Sequence, residues 1–192
     1  MADFGVISDV STSLVTLLNQ DLRQPPLNAR AALSDLSGPA PAGLTLTVTL
    51  YEILEDGPSR NRPRPQRPDG TAIVSTKPPM ALRLHYLLTP WGGDPVTEQQ
   101  ILGRAMQALY DDAILAGIEL LGGLQGSPDT LKITLIPLTL EDRSRVWYAI
   151  QKPYRLSVNY EVRVVNLDAT EERRDEVVRS RELDSDLLVS QP

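Results

Sequence analysis

Between Tyr154 and Val164 the chain alternates without a break. Tyr154, Leu156, Val158, Tyr160, Val162 and Val164 are apolar or aromatic, and Arg155, Ser157, Asn159, Glu161 and Arg163 between them are polar. Successive side chains of a β-strand point to opposite faces, so this period of two predicts a long strand with one buried face. Upstream, Leu131, Ile133 and Leu135 mark a shorter strand. Thr139-Leu140-Glu141-Asp142 then resembles a capping box and opens a short helix to about Ile150. Any fold for this chain must accommodate that strand, capped helix and long strand. The polar side of the long strand is mixed in charge, which suits a scaffold or an interface better than a catalytic pocket.

Val6, Val10, Leu14, Leu17, Leu18 and Leu22 form one apolar stripe at helical spacing, ended by Pro25-Pro26. Leu33 to Gly43 reads as a loop. Leu44, Leu46, Val48 and Leu50 alternate with Thr45, Thr47 and Thr49, a second strand. Met80 to Leu88 is a third, broken by Thr89-Pro90-Trp91-Gly92-Gly93. Asp94-Pro95 reads as an N-cap with proline at the first helical position, before a helix whose inward face is Ile101, Leu102, Ala105, Met106 and Leu109. Ala113 to Leu124 is apolar but rich in glycine and fits no regular element. Helices interspersed with strands predict an α+β domain, a mixed or mainly antiparallel sheet with helices packed on one face.

Two segments stand outside that pattern. Asp56 to Gly70 carries Arg60, Arg62, Arg64 and Arg67 among four prolines with no apolar anchor, and reads as a protruding loop. With Thr71 to Thr76 returning, the whole is expected to form an extended hairpin. From Asp168 to Pro192 there are eight acids against four arginines, and little is apolar before Leu187-Leu188-Val189. The domain is therefore expected to cover 1–168 and an acidic extension 169–192.

Catalytic signals are weak. His85 is the only histidine, and no partner for a general base lies near it in sequence. Glu52 and Glu161 both fall in strand patterns, but nothing in the sequence brings them together as the carboxylate pair of a hydrolase. The glycines form neither a dinucleotide nor a phosphate loop. With no cysteine there is no thiol nucleophile, disulfide or cysteine metal site, and no cofactor or metal is expected. The net charge of −6 argues against nucleic acid or anionic membrane as partner. No apolar stretch approaches the roughly 20 residues of a membrane span, and the acid in Met1-Ala2-Asp3-Phe4 is unlike a signal peptide, so folding in the cytoplasm is expected.

In their joint order, several pieces resemble the N-terminal domain of the cap, or tail-terminator, proteins of phage-tail-like extracellular contractile injection systems, of which the antifeeding prophage and the virulence cassette are examples. They are Val6-Ile7-Ser8-Asp9-Val10-Ser11, Leu82 to Trp91, Glu98 to Gly103 with Met106 to Tyr110, Pro137 to Asp142, and Pro153 to Val164. The resemblance implies a non-enzymatic protein with a tail-terminator-like fold. It would form a hexameric ring at the distal tail end, stop inner-tube growth, and contact the tube and sheath proteins. Assembly would take place in the cytoplasm, within a particle that is released or acts inside the cell. The other reading is a tube or baseplate adaptor in the same particle. Opposite charge and a lack of core-forming residues single out an expected interface. It comprises Arg60, Arg62, Arg64 and Arg67 of the loop, Arg155, Glu161 and Arg163 of the strand's polar side, and Glu171 and Glu172 of the extension.

Overall fold

The computed structural model describes residues 4–60, 62–69, 72–170 and 172–176, without the side chains at 164, 172, 175 and 176. The elements in chain order are α1 (Val6–Leu22), β1 (Arg30–Leu33), β2 (Thr45–Glu55), β3 (Gln66–Asp69), β4 (Ala72–Thr76), β5 (Met80–Trp91), α2 (Pro95–Asp111), β6 (Ile114–Ala116), β7 (Thr130–Leu135), α3 (Leu140–Ala149), β8 (Val158–Leu167) and β9 (Glu172–Glu176). They divide into two compact units, Met1–Asn61 with Pro79–Asp168, and Arg62–Pro78 with Ala169–Pro192.

The first unit is built on a six-stranded sheet in the order β1-β2-β5-β8-β7-β6. β1 and β2 pair in parallel and every other neighbour is antiparallel, so the sheet is mixed. One face carries Leu46, Val48, Leu82, Leu84, Tyr86, Leu88, Ile133, Tyr160 and Val162, and α1 and α2 pack on it. The apolar stripe of α1 is fully used, with Val6, Val10, Leu14, Leu17, Leu18 and Leu22 all buried. Within this core the Ser11 hydroxyl and the Tyr86 phenol lie 2.8 Å apart, and burial pushes the phenol up to about 12. The caps read from the sequence are present. Asp94 accepts from the backbone of Val96 and Thr97 at 2.8 and 2.9 Å, and Thr139 accepts from Asp142 at 3.1 Å.

Several details depart from the sequence expectations. The long strand begins at Val158 rather than Tyr154, and Tyr154 and Leu156 stay partly exposed. Its apolar phase shifts at a bulge: Leu82 pairs with Val165 and Leu84 with Val162, so Val165 enters the core. β5 does not stop at Leu88 but runs through Pro90 to Trp91, with Pro90 opposite Leu46. The reason is local. β8 pairs with β5 only as far as Leu88, and the Pro90 carbonyl faces the Arg155 guanidinium at 3.4 Å, so the missing N–H lies on the unpaired side. β1, in a stretch where the sequence patterns predict no element, is held as an edge strand by Asn19. That side chain accepts from the Ala31 N–H at 2.9 Å and donates to the Ala31 carbonyl at 3.1 Å, which closes the edge. The glycine-rich stretch becomes β6 and two short turns pinned to α1, where Gly123 donates to the Asp9 carboxylate at 2.8 Å and Leu121 to the Ser13 hydroxyl at 3.0 Å.

In the second unit β3 pairs with β4 and β4 with β9, all antiparallel. The arginine-rich loop is thus in part a hairpin strand, and the chain just after residue 171 adds the third strand. Residues 177–192, with Leu187-Leu188-Val189, lie outside the described residues.

Candidate functional site

The opposite face of the six-stranded sheet carries the polar side of the strands, and it is covered rather than open. Thr45, Thr47, Thr49, Thr89, Asn159 and Glu161 are all buried. α3 lies against one end of this face through Trp147, which packs with Leu36, Leu87 and Trp91 and donates to the Ser157 hydroxyl at 3.2 Å. Trp91 donates to the Thr47 hydroxyl at 2.9 Å. The Arg155 guanidinium stacks 4.4 Å over the Trp91 ring and pairs with Glu98 at 2.6 Å. At Ser157, Asn159 and Glu161 the polar side of the alternation is therefore covered, while the side chains of Arg155 and Arg163 stay 34% and 39% exposed.

At the other end of the polar face the registers build a charged row. Glu52 of β2 is opposite His85 of β5, and His85 is opposite Glu161 of β8. A bulge at Tyr51 turns Glu52 onto this face. The His85 Nδ1 lies 2.8 Å from Glu52 Oε2 and its Nε2 3.1 Å from Glu161 Oε2. Arg83 approaches Glu161 at 3.5 Å and Asp56 at 3.7 Å, and Arg163 approaches Asp56 at 3.3 Å and Glu161 at 4.0 Å. Asp56, buried at the end of β2, accepts from Ser59 at 2.6 Å. That hydroxyl, helped by Arg163 and Arg83, holds its carboxyl below the usual range against the opposing effect of burial. Burial, followed by the charge of Glu52, pushes the neighbouring Tyr51 phenol up to about 12.

This row unites Glu52 and Glu161, which the sequence left apart, through a histidine whose two nitrogens are both engaged. A ring held on both sides by carboxylates of its own chain offers no free nitrogen to a substrate. The arrangement is that of a clamp joining three strands. Among the described residues no group of three histidine, aspartate or glutamate side chains has the geometry to hold a metal ion, and no helix is long and apolar enough to cross a membrane.

The residues expected at an interface fall in different settings. Arg155, Glu161 and Arg163 belong to the polar face just described, Glu161 buried and the two arginines partly exposed. Arg60 is largely exposed and reaches Glu55 at 3.6 Å. Arg62, Arg64 and Arg67 are exposed in the second unit. The Glu172 backbone pairs with Thr76, its side chain is not described, and Glu171 lies outside the described residues. Sequence reasoning missed Asp56, Arg83 and Trp147, for which no spacing gave a signal. It also missed Arg174, which pairs with Asp69 at 2.9 Å.

The comparisons bear on the whole chain. The family described as the Pvc16 N-terminal domain matches residues 9–180. The sheath/tube terminator of the PVC extracellular contractile injection system, in its extended state, superposes with a TM-score of 0.62 at 21% identity, covering 97% of this chain and 64% of that one. The tube-terminating cap of the anti-feeding prophage superposes with a TM-score of 0.56 at 18% identity, covering 96% of this chain and 61% of that one. This chain thus spans less than two thirds of either structure, and no curated protein gives a significant match. The chain belongs to the Pvc16 N-terminal domain family.

Proposed function

We propose that the protein is a structural cap of a contractile injection particle, a tail terminator that ends the inner tube and holds the sheath at its distal end. The observation that carries this reading is the match of 97% of the chain to a sheath/tube terminator, within a family that covers residues 9–180. The covered polar face supports it, because its charged groups are spent on joining strands rather than on a reacting centre. A self-complementary ring, hexameric as the resemblance implies, is the assembly such a domain would form, with tube and sheath proteins as partners and without enzymatic activity. Such a chain would act as part of an extracellular particle after assembly in the cytoplasm.

The arginine hairpin and the stretch after Asp168 are the proposed clasps. Deleting residues 60–67 and, separately, 168–192 tests them, and ring assembly and tail docking unchanged in both deletions would remove that part of the reading. An affinity tag on the chain, located by electron microscopy of intact particles, tests its position. Label at the end away from the baseplate is expected, and label at the baseplate would turn the reading to an adaptor.

A further inference from the structure

One end of the polar face is closed by a thin cover. From Thr134 to Leu156 only Trp147 is buried, and α3 is flanked by irregular chain at 136–139 and 150–157. Trp147 packs in a small cluster with Leu36, Leu87 and Trp91, apart from the main core on the other face. The strand face beneath is polar. Thr49, Leu87 and Asn159 are register neighbours across β2, β5 and β8, and Thr47 and Thr89 pair in the same region of the sheet. Thr49, Thr89 and Asn159 are all buried. Yet the hydroxyls of Thr49 and Thr89, and both polar atoms of the Asn159 side chain, have no hydrogen-bond partner among the described residues. The cover adds one more such group. Arg143, one turn before Trp147 on α3, donates to the Leu138 carbonyl at 3.3 Å while its Nε is buried without a partner.

A buried donor or acceptor without a partner costs the closed state its lost hydration, and contact with water restores it. These unpartnered atoms lie around the cluster that Trp147 anchors. Lifting α3 relieves their cost, and it breaks neither the strand pairing of the sheet nor the apolar core under α1 and α2. We propose that α3 is a hinged cover. It undocks as a unit on the segments 136–139 and 150–157, and the strand face around Leu87 opens to solvent while the rest of the sheet stays folded. This opening goes beyond the capping reading and does not depend on it, since it is measured on the isolated chain.

The chain has no cysteine, so one introduced thiol reports opening without background. Leu87→Cys and Leu88→Cys are compared in the full chain by their rates of reaction with a soluble disulfide reagent. The two leucines are adjacent on β5 and equally buried, Leu87 in the Trp147 cluster and Leu88 in the main core. Leu87→Cys should react at least roughly tenfold faster, at a rate nearly flat in low urea, because a local opening exposes little surface. Leu88→Cys should react only through global unfolding, at a rate that climbs steeply with urea. Adding Asn159→Leu, which keeps the volume and removes the unpartnered amide, should slow the Leu87→Cys reaction several-fold. Hydrogen exchange of the unsubstituted chain gives a second reading, in which the amides of α3 show the flat urea dependence and those of β5 and β8 the steep one. Circular dichroism confirms that the variants are folded. Equal rates and equal urea dependence at the two thiols would overturn the proposal, as would α3 amides that exchange with the steep dependence of the sheet. Faster labelling on adding Asn159→Leu would also overturn it, because the amide would then be satisfied in the closed state by internal water.

Discussion

The Nε2 of His85 lies 3.1 Å from Oε2 of Glu161, whose side chain is only 10% exposed. The partner on the other ring nitrogen, Glu52, has a side chain 46% exposed. The two contacts look alike in distance and differ in what their loss would cost. His85→Leu leaves Glu161 buried with only the longer approaches of Arg83 and Arg163, and should cost about 2 kcal/mol. Glu52→Gln removes a screened, half-exposed charge and should cost no more than about 0.5 kcal/mol. Urea unfolding of both variants decides the matter, and equal losses would contradict the clamp.

Asp56 joins both arginines to the end of β2, and its carboxyl is held below the ordinary value of 3.8 by Ser59, Arg163 and Arg83. Asp56→Asn should destabilise the protein by about 2 kcal/mol at neutral pH. A depressed carboxylate contributes stability that is present above its unfolded-state value and lost as pH falls through the lower native one. The gap between wild type and variant should therefore be flat at neutral pH and shrink as pH falls below about 4. A gap that widened on acidification would show the sign to be wrong.

Trp147 is 1% exposed and is the main apolar cover of the polar face. Trp147→Ala should cost about 3–5 kcal/mol. Trp147→Phe, which keeps most of the packing and loses the bond to Ser157, should cost about 1–2 kcal/mol. Thermal unfolding of the pair separates packing from the hydrogen bond.

Two glycines should respond in opposite ways. Gly122 has φ +62°, and an added Cβ would run into the Asp9 carboxylate that holds Gly123. Gly122→Ala should cost more than about 1 kcal/mol. Gly103, in the middle of α2 with open space beside it, should gain about 0.5–1 kcal/mol as alanine. Melting temperatures of the two variants, moving in opposite directions, are the expected result.

How far the fold was legible follows from where its information is local. The stripe of α1, the Asp94 and Thr139 caps and the alternation of β2 and β5 are local patterns, and each lies where expected. The bulges at Tyr51 and after Val162 are set by pairing between distant strands, so the row Glu52–His85–Glu161 had no sequence signature. β1 depends on Asn19, 12 residues earlier in α1, to close its edge, a tertiary contact that no local pattern announces. The polar side of β8 read as an interface because alternation reports two faces but not what covers each. Only tertiary packing places Trp147 over one of them. The pairing of β9 with β4 was equally hidden, since β9 reaches β4 from nearly a hundred residues away in the chain.

The central claim is that this chain ends a tail. The direct measurement is the length distribution of tails, by electron microscopy, in particles assembled with and without it. The account predicts tails of uniform length with an ordered distal cap when the chain is present, and tails of uncontrolled length lacking that cap when it is absent. Uniform, capped tails in its absence would contradict it.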